Sequence, residues 1–413
     1  MNELTEVQKE FLKILESFTH DRQYFLPEEF AEFQKLFVMS QQHQMVAAVY
    51  EKIRTSSVCQ MPENAQFMAM WKRIAIRDIM LQVQREAGFL ELYQKLSEAG
   101  VRPLVVKGCI CRNMYSKPDY RISGDEDMIL PREQFEKCDE ILLSKGLQRE
   151  AVQMDCLPYE IPYRNPINGV YIELHFSLFP EESGAYGHLN DEFQDIFQES
   201  ICENIQGKDV WTLSPTAHMF YLICHSFKHF LHGGFGLRQV CDMVKMAEYY
   251  GERISWDEMK TRLCRLNMYD YWNALVQIGT KYLGFSMDKA AYPESMRKAD
   301  IDYVPMLRDL LDSGIYGNST MERKHSSNMT LAAAASGKKD TAGSLMASLF
   351  PSAEYMRKQF DWLEQHPWLL PISYIVRMWN YLKSSDRKDG DVQNSVQIGM
   401  ERVELLRKYN IIK

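Results

Sequence analysis

Apolar residues in the first part of the chain recur at three- and four-residue steps, with Phe11, Leu12, Ile14, Leu15 and Phe18 along one stripe. This is the helical period, and it predicts a helical cap over residues 1–64. The period continues through Phe67, Trp71, Ile74, Leu81, Phe89, Leu92 and Leu96, predicting a long helix over about 65–99 that Gly100 terminates. Beyond Val101 the texture changes. Leu104-Val105-Val106 and Met128-Ile129-Leu130 are short apolar runs set between Gly, Pro and Asp, and read as buried strands. Between and after them the pattern predicts a short helix over 109–115, a longer one over 132–145 closed by Gly146, and strands near 147–154 and 170–176.

From Pro215 the helical period returns, over 216–231, 237–250 and 256–282. The stretch 313–344 is poor in large apolar groups and includes the run from Ala332 to Lys339, which predicts a mobile loop or connector. Helices over 352–365 and 372–382 then rejoin the body, and no internal repeat is visible. The expected class is α+β: a small mixed β-sheet core embedded in largely helical N- and C-terminal regions. Expected boundaries are a cap over 1–64, the α/β core over 65–212, a helical domain over 213–300 and a C-terminal helical region over 301–413.

With 413 residues the chain exceeds one ordinary core, in keeping with several parts. A hydrophobic fraction of 46% and a charged fraction of 25% are those of a folded, water-soluble protein. The net charge of -8 disfavours a grip on long nucleic acid. Nine cysteines without a CxxC pair fit free thiols in a reducing, cytoplasmic setting. The N-terminus lacks a signal-peptide pattern, and the most lipid-like stretch, 368–382, is broken by Pro371, Arg377 and Asn380, so no membrane anchor is expected.

The chemistry concentrates in Lys107-Gly108-Cys109 and in Arg121-Ile122-Ser123-Gly124-Asp125-Glu126-Asp127. Residues two apart on a strand share a face, so Asp125 and Asp127 are predicted to aim at one spot and form a hard oxygen site suited to Mg²⁺. Glu173 is a third carboxylate, polar within the apolar strand Tyr171 to Phe176, placed to take a proton or help hold a second metal. Gly108 lets backbone N–H groups approach phosphate oxygens, and Lys107, Arg121 and Ser123 offer further contacts to a triphosphate. A DxD pair also arises by chance on solvated strand edges, and Lys107 and Arg121 have an equally simple reading as salt-bridge partners.

These residues carry a resemblance. The order strand-Lys107-Gly108, short helix with Tyr115, Arg121, Gly124-Asp125-x-Asp127 and later Ile172-Glu173-Leu174-His175 resembles the uncharacterised bacterial nucleotidyltransferases called nucleotidyltransferase family 5, within the DNA polymerase β-like superfamily. The likeness extends over roughly 65–385. It implies a polymerase β-like fold, two Mg²⁺ ions (Mn²⁺ as a substitute) on Asp125 and Asp127, Glu173 as the third acid, and transfer of a nucleoside monophosphate from an NTP to a hydroxyl of a small molecule or protein. Two positions depart from the wider superfamily: Cys109 stands where Gly or Ser is usual, and Glu126 replaces an apolar residue between the aspartates. They keep open the alternative of a catalytically inactive nucleotide-binding or regulatory protein.

His218, His225, His229 and His232 fall within an arc of about 60° on one helix face. His225 and His229, at i and i+4, together with Asp242 have the spacing of a zinc or iron site, and a metal phosphohydrolase is a third, weaker reading. The more economical expectation is hydrogen bonding to carboxylates or phosphates. In the resembling family this segment lies on the helical domain that closes over the nucleotide, which makes Lys228 a further phosphate contact. Met243, Met246, Tyr249 and Tyr250 are expected to be packing.

Overall fold

A computed structural model describes residues 4–150, 159–313, 321–336, 362–383 and 390–412, with isolated positions 353, 356, 357 and 360. The cap comprises α1 (Glu6–Thr19), α2 (Phe33–Gln42) and α3 (Val46–Ile53). Helix α1 starts in a capping box in which Thr5 and Gln8 exchange side-chain and backbone hydrogen bonds, and its stripe buries Phe11, Ile14, Leu15 and Phe18. The long helix α4 (Ala65–Glu98) ends at Ala99 and Gly100, the glycine adopting φ +78°.

The observed class is α+β. A five-stranded mixed sheet has the order β1 (Leu104–Val106), β2 (Glu126–Ile129), β5 (Tyr171–His175), β4 (Glu160–Arg164), β3 (Gln148–Arg149). Strand β2 pairs antiparallel with β1 and parallel with β5, and the register sets Asp127 beside Val106 on one flank and Glu173 on the other. Helix α5 (Gly108–Asn113) leaves the end of β1, and α6 (Phe135–Ser144) follows β2. Strand β4 and the hairpin β6 (Ile201–Ile205) and β7 (Lys208–Thr212) have no counterpart in the sequence pattern. The hairpin turns through Gln206 (φ +50°) and Gly207 (φ +79°), a geometry that Asn-Gly signals and Gln-Gly does not. The expected strand near 147–154 is realised at β3, and its remainder falls largely in 151–158, outside the described residues.

The helical part contains α7 (Pro215–His232), α8 (Leu237–Tyr250), α9 (Trp256–Arg265), α10 (Tyr269–Tyr282) and α11 (Val304–Ser313). Ser214 caps α7 through Ala217 N, with Pro215 at the first helical position. The single helix expected over 256–282 is two, because Asn267 turns into the left-handed region at φ +56°. Within the mobile loop or connector expected over 313–344, the residues of α12 (Met321–Ser336) are helical and pack on α7 and on the helix Gly390–Lys408. Its Ala-rich end removes the large apolar signal while allowing close helix approach, and Met329 and Ala333 are buried. Residues 314–320 and 337–352 lie outside the described residues. Of the last helices expected, Trp362–Gln365 and Leu370–Lys383 are described.

The apolar interior runs continuously from Val7 to Ile412 and crosses the textural boundaries at 64, 212 and 300. Six of the eight described cysteines are buried, and all eight are free thiols. Among the described residues, no helix is long and apolar enough to cross a membrane.

Candidate active site

One cavity of about 270 Å³ lies where the sheet meets α7 and α8, and Lys107, Gly108, Arg121, Ser123, Asp125, Asp127, Glu173 and Lys228 all line it. Gly124 lines a neighbouring cavity. Segments widely separated in sequence therefore converge on a single space.

The acids are placed by strand register. Asp127 lies opposite Glu173 on parallel neighbours, and His175 follows two residues later on the same face of β5. Among the described residues, Asp127, Glu173 and His175 bring ligand atoms within 4.8 Å of one another. Asp125 borders the cavity without joining this tight group; strand β2 begins at Glu126, so the alternation assumed for the aspartate pair does not extend back to it. His175 is a potential ligand that the carboxylate pattern alone does not single out, though its period-two spacing from Glu173 is plain in the sequence. Its Nε2 is 3.0 Å from Asp127 Oδ1 and 3.7 Å from Glu173 Oε2.

Lys107 sits against this cluster, its Nζ 2.9 Å from Asp127 Oδ2 and 2.9 Å from His225 Nε2. Its backbone adopts φ +56°, which is costly for a residue with a Cβ. The strain is held by His218, whose Nε2 accepts the Lys107 N–H at 3.1 Å. Thr212 gives its hydroxyl proton to Val105 O, so it accepts from His218 Nδ1–H, which leaves Nε2 of the neutral ring as the acceptor.

Charge is finely divided. Burial alone would raise the Asp127 carboxyl, but Lys107 and His175 outweigh it and hold it well below the ordinary range. Burial likewise opposes the Lys107 ammonium, yet Asp127, Tyr221 and Asp125 raise it well above its usual value. Glu173 moves the other way: burial, then Asp127, Asp125 and Glu160, push it up to about 8. Burial and the Lys107 charge push His218 and His229 down to about 3 and His225 well down, so these rings are neutral.

Glu126 alternates to the opposite face of β2. Its carboxylate accepts Cys109 N–H at 2.8 Å and pairs with the buried Arg112, which also bonds Ser123 and lies 3.4 Å from Glu86. A Cβ on Gly108 would fall 2.0 Å from Glu126 Oε2, so the glycine is required by this carboxylate. One backbone N–H of the Gly108 turn, that of Cys109, is thus already engaged by a carboxylate.

Arg121 and Asp242 form a buried pair at 2.5 Å, with Tyr115 donating to Asp242 at 2.9 Å. This commits Asp242 away from the zinc or iron site considered for it, and no described group of three ligands includes His225 or His229. Instead His225 and His229 line the cavity with their Nε2 atoms 3.2 Å apart, and His232 pairs with Tyr186 at 2.7 Å. Lys228 reaches Tyr159 at 3.5 Å, its ammonium depressed by burial and by Lys107.

A family model of uncharacterised nucleotidyltransferases matches residues 30–276, more than half of the chain and every residue of this site. The chain belongs to that nucleotidyltransferase family. The match begins earlier than the likeness read over 65–385 and stops before its end. An antigenic nucleotidyltransferase-like protein from Paracoccidioides brasiliensis, known by crystal structure, is similar at 16% identity over 50% of this chain and 93% of that one, with a TM-score of 0.31. A comparison with curated proteins gives no match. For the nucleotidyltransferase family, the geometry above supplies an acid cluster, a buried lysine and a cavity bounded by the helical part.

Proposed function

We propose that this chain is a divalent-metal-dependent nucleotidyltransferase that moves a nucleoside monophosphate from an NTP to a hydroxyl of a small molecule or protein. The observation that carries the reading is the convergence of Asp127, Glu173 and His175 beside Lys107 in a cavity that Asp125 also borders. Two carboxylates and one imidazole fit a divalent cation, and the nitrogen makes Mn²⁺ as suitable as Mg²⁺. Asp127, Glu173 and His175 would hold it, with Asp125 at hand for a second, and when bound it neutralises triphosphate charge and polarises the phosphorus under attack.

The protein's own groups do the rest. Lys107 and Lys228 place positive charge along the cavity wall for the phosphates, while neutral His225 and His229 offer hydrogen bonds without adding charge. The acceptor oxygen bonds to the α-phosphorus as the bond to the bridging oxygen of the β-phosphate breaks. Pyrophosphate leaves with that electron pair, and the hydroxyl proton passes to Glu173, whose carboxyl, raised to about 8 in the metal-free chain, a bound cation would keep ionised. The acidic balance of the chain favours acceptors other than long nucleic acid.

The test is pyrophosphate release from labelled NTP with Mg²⁺ or Mn²⁺ across a panel of hydroxyl acceptors, in wild type and Glu173→Gln. Transfer by wild type that falls about 100-fold or more in the variant is expected; equal turnover in the two would refute the role of Glu173. A second reading, a nucleotide-binding protein without turnover, is favoured by the Cys109 N–H that Glu126 already occupies and by the Lys107 ammonium seated on Asp127. Metal-dependent NTP binding without pyrophosphate release from any acceptor would select it.

A further inference from the structure

A second cavity, of about 280 Å³, adjoins the first, and Asp125 and Glu173 border both spaces. Arg85, Arg164 and Tyr171 line it, and among the described residues no acid outside the shared pair does. Arg85 lies on α4, where it forms no ion pair among the described residues although two carboxylates border the same cavity, and its Nε is buried without a hydrogen-bond partner. Arg164, on β4, lies 5.2 Å over the Tyr171 ring, and its contact to Glu150, at 3.6 Å, is exposed. Such an exposed pair contributes little and yields readily to a better anion.

An ordered turn lies beside Arg85. Asn165 Oδ1 accepts the N–H groups of Ile167 and Asn168, and Asn168 Oδ1 accepts that of Val170. This turn rests on α4 at Gly88, where a Cβ would come 2.8 Å from Asn168 Nδ2. Gly169, at φ +70°, passes over Arg85 so closely that a Cβ would sit 3.4 Å from its Nε. Guanidinium groups match the planar geometry of phosphate and carboxylate oxygens.

We propose that this second cavity is the acceptor subsite, and that it selects hydroxyl compounds carrying a compact oxyanion, gripped by Arg85 and Arg164. The assignment rests on the nucleotidyltransferase reading in one respect: in-line displacement sets the entering oxygen opposite the leaving pyrophosphate. With the triphosphate in the first cavity along Lys107 and Lys228, the entering hydroxyl arrives from the second, past Glu173. The acceptor's O–H proton goes to that carboxylate, its oxygen becomes bonded to the α-phosphorus, and its own anionic group remains on the arginines, unchanged by the reaction.

The experiment is calorimetry on the full chain with glycerol 3-phosphate, glycerate and glycerol as probes, and separately with a non-hydrolysable ATP analogue plus Mg²⁺. Wild type, Arg85→Gln, Arg85→Lys and Arg164→Gln are compared, with circular dichroism to verify folding. At least one anionic probe is expected to bind where glycerol does not, and the stronger of the two identifies phosphate or carboxylate as the preferred group. The Gln variants should weaken that probe by about tenfold or more while leaving the ATP analogue within about twofold, with Arg85→Lys in between. No anionic binding, equal binding in wild type and both Gln variants, or loss of the analogue in Arg85→Gln would each overturn the subsite. Arginine-dependent anion binding by a chain that never binds the ATP analogue would support the anion grip and sink the nucleotidyltransferase reading instead.

Discussion

Asp127 has two duties that conflict in any mutational test. It is the central member of the acid cluster, and it is also the counter-ion of a buried lysine at 2.9 Å. Read from the sequence alone, Asp127→Asn should remove activity and leave the fold intact; the structure adds a cost. An amide there leaves Lys107 without its charge partner, and breaking a buried pair costs about 3 kcal/mol or more. Asp127→Asn is therefore expected to lose transfer and to melt well below wild type, whereas Glu173→Gln should lose transfer without that thermal penalty. Melting curves of the two purified variants decide it, and an undiminished melting temperature for Asp127→Asn would contradict the ion-pair argument. Glu173 itself makes stability depend on pH. Its folded carboxyl is raised from 4.5 to about 8, so between those values the folded chain binds the proton more tightly than the unfolded chain. That contribution is fully present below pH 4.5 and lost as pH rises through about 8; Glu173→Gln should flatten this alkaline limb in a melting series, and Mg²⁺ should protect wild type more at pH 8.5 than at pH 6.

At the scale of elements, α7 shapes the cavity wall with Tyr221, Leu222, His225, Lys228 and His229. Its four histidines, one arc in the sequence, prove to do three different things: His218 clamps the strained Lys107 backbone, His225 and His229 border the cavity, and His232 meets Tyr186. His218→Leu would leave the Lys107 N–H unpaired, which costs about 1–3 kcal/mol by chemical denaturation, and it should reduce nucleotide binding because Lys107 is no longer held in place. The buried rings also set the acid limit. Their folded values lie near 3 to 4 against 6.5 unfolded, so below about pH 6.5 the unfolded chain binds protons that the folded chain refuses. Stability present above pH 6.5 is lost as pH falls toward 4, and a melting temperature that stays constant over that window would show that the rings are not buried as neutral groups. Elements with strong apolar periodicity, α1, α4 and α8, were legible in the chain. The missed ones, β4 and the β6–β7 hairpin, are short strands with polar residues interleaved, whose pairing rather than their composition makes them strands.

At the scale of the molecule, the helical cap is part of the common interior rather than an appendage. Phe18 of α1 stacks on Tyr115 at 5.4 Å, Trp71 Nε1 bonds Val46 O, and Tyr115 leads directly to Asp242 and Arg121 at the cavity wall. Removing residues 1–64 is therefore expected to expose much of this interior and give aggregated chain, as judged by light scattering and size-exclusion chromatography; a soluble, cooperatively melting truncation would show that the cap is dispensable. A bound NTP should act on the whole chain too, stabilising it by about 2.7 kcal/mol at a hundredfold excess over Kd, provided it binds the folded state alone.

By itself the sequence determined the α+β class, the long helices, the Gly108 turn and the acids worth watching, because each is written in local periodicity or in a residue type that is costly to bury without a partner. It did not determine which donors meet. Asp125 and Asp127 are neighbours in the chain, yet the tight cluster unites Asp127 with Glu173 and His175, since parallel register between β2 and β5 brings those positions side by side. Glu126 looked like a defect in the motif and is the cap of α5, a role visible only once Arg112 and the Cys109 N–H are folded against it. Charges fixed by sequence acquire their protonation and partners from burial and distance, and those belong to the tertiary structure.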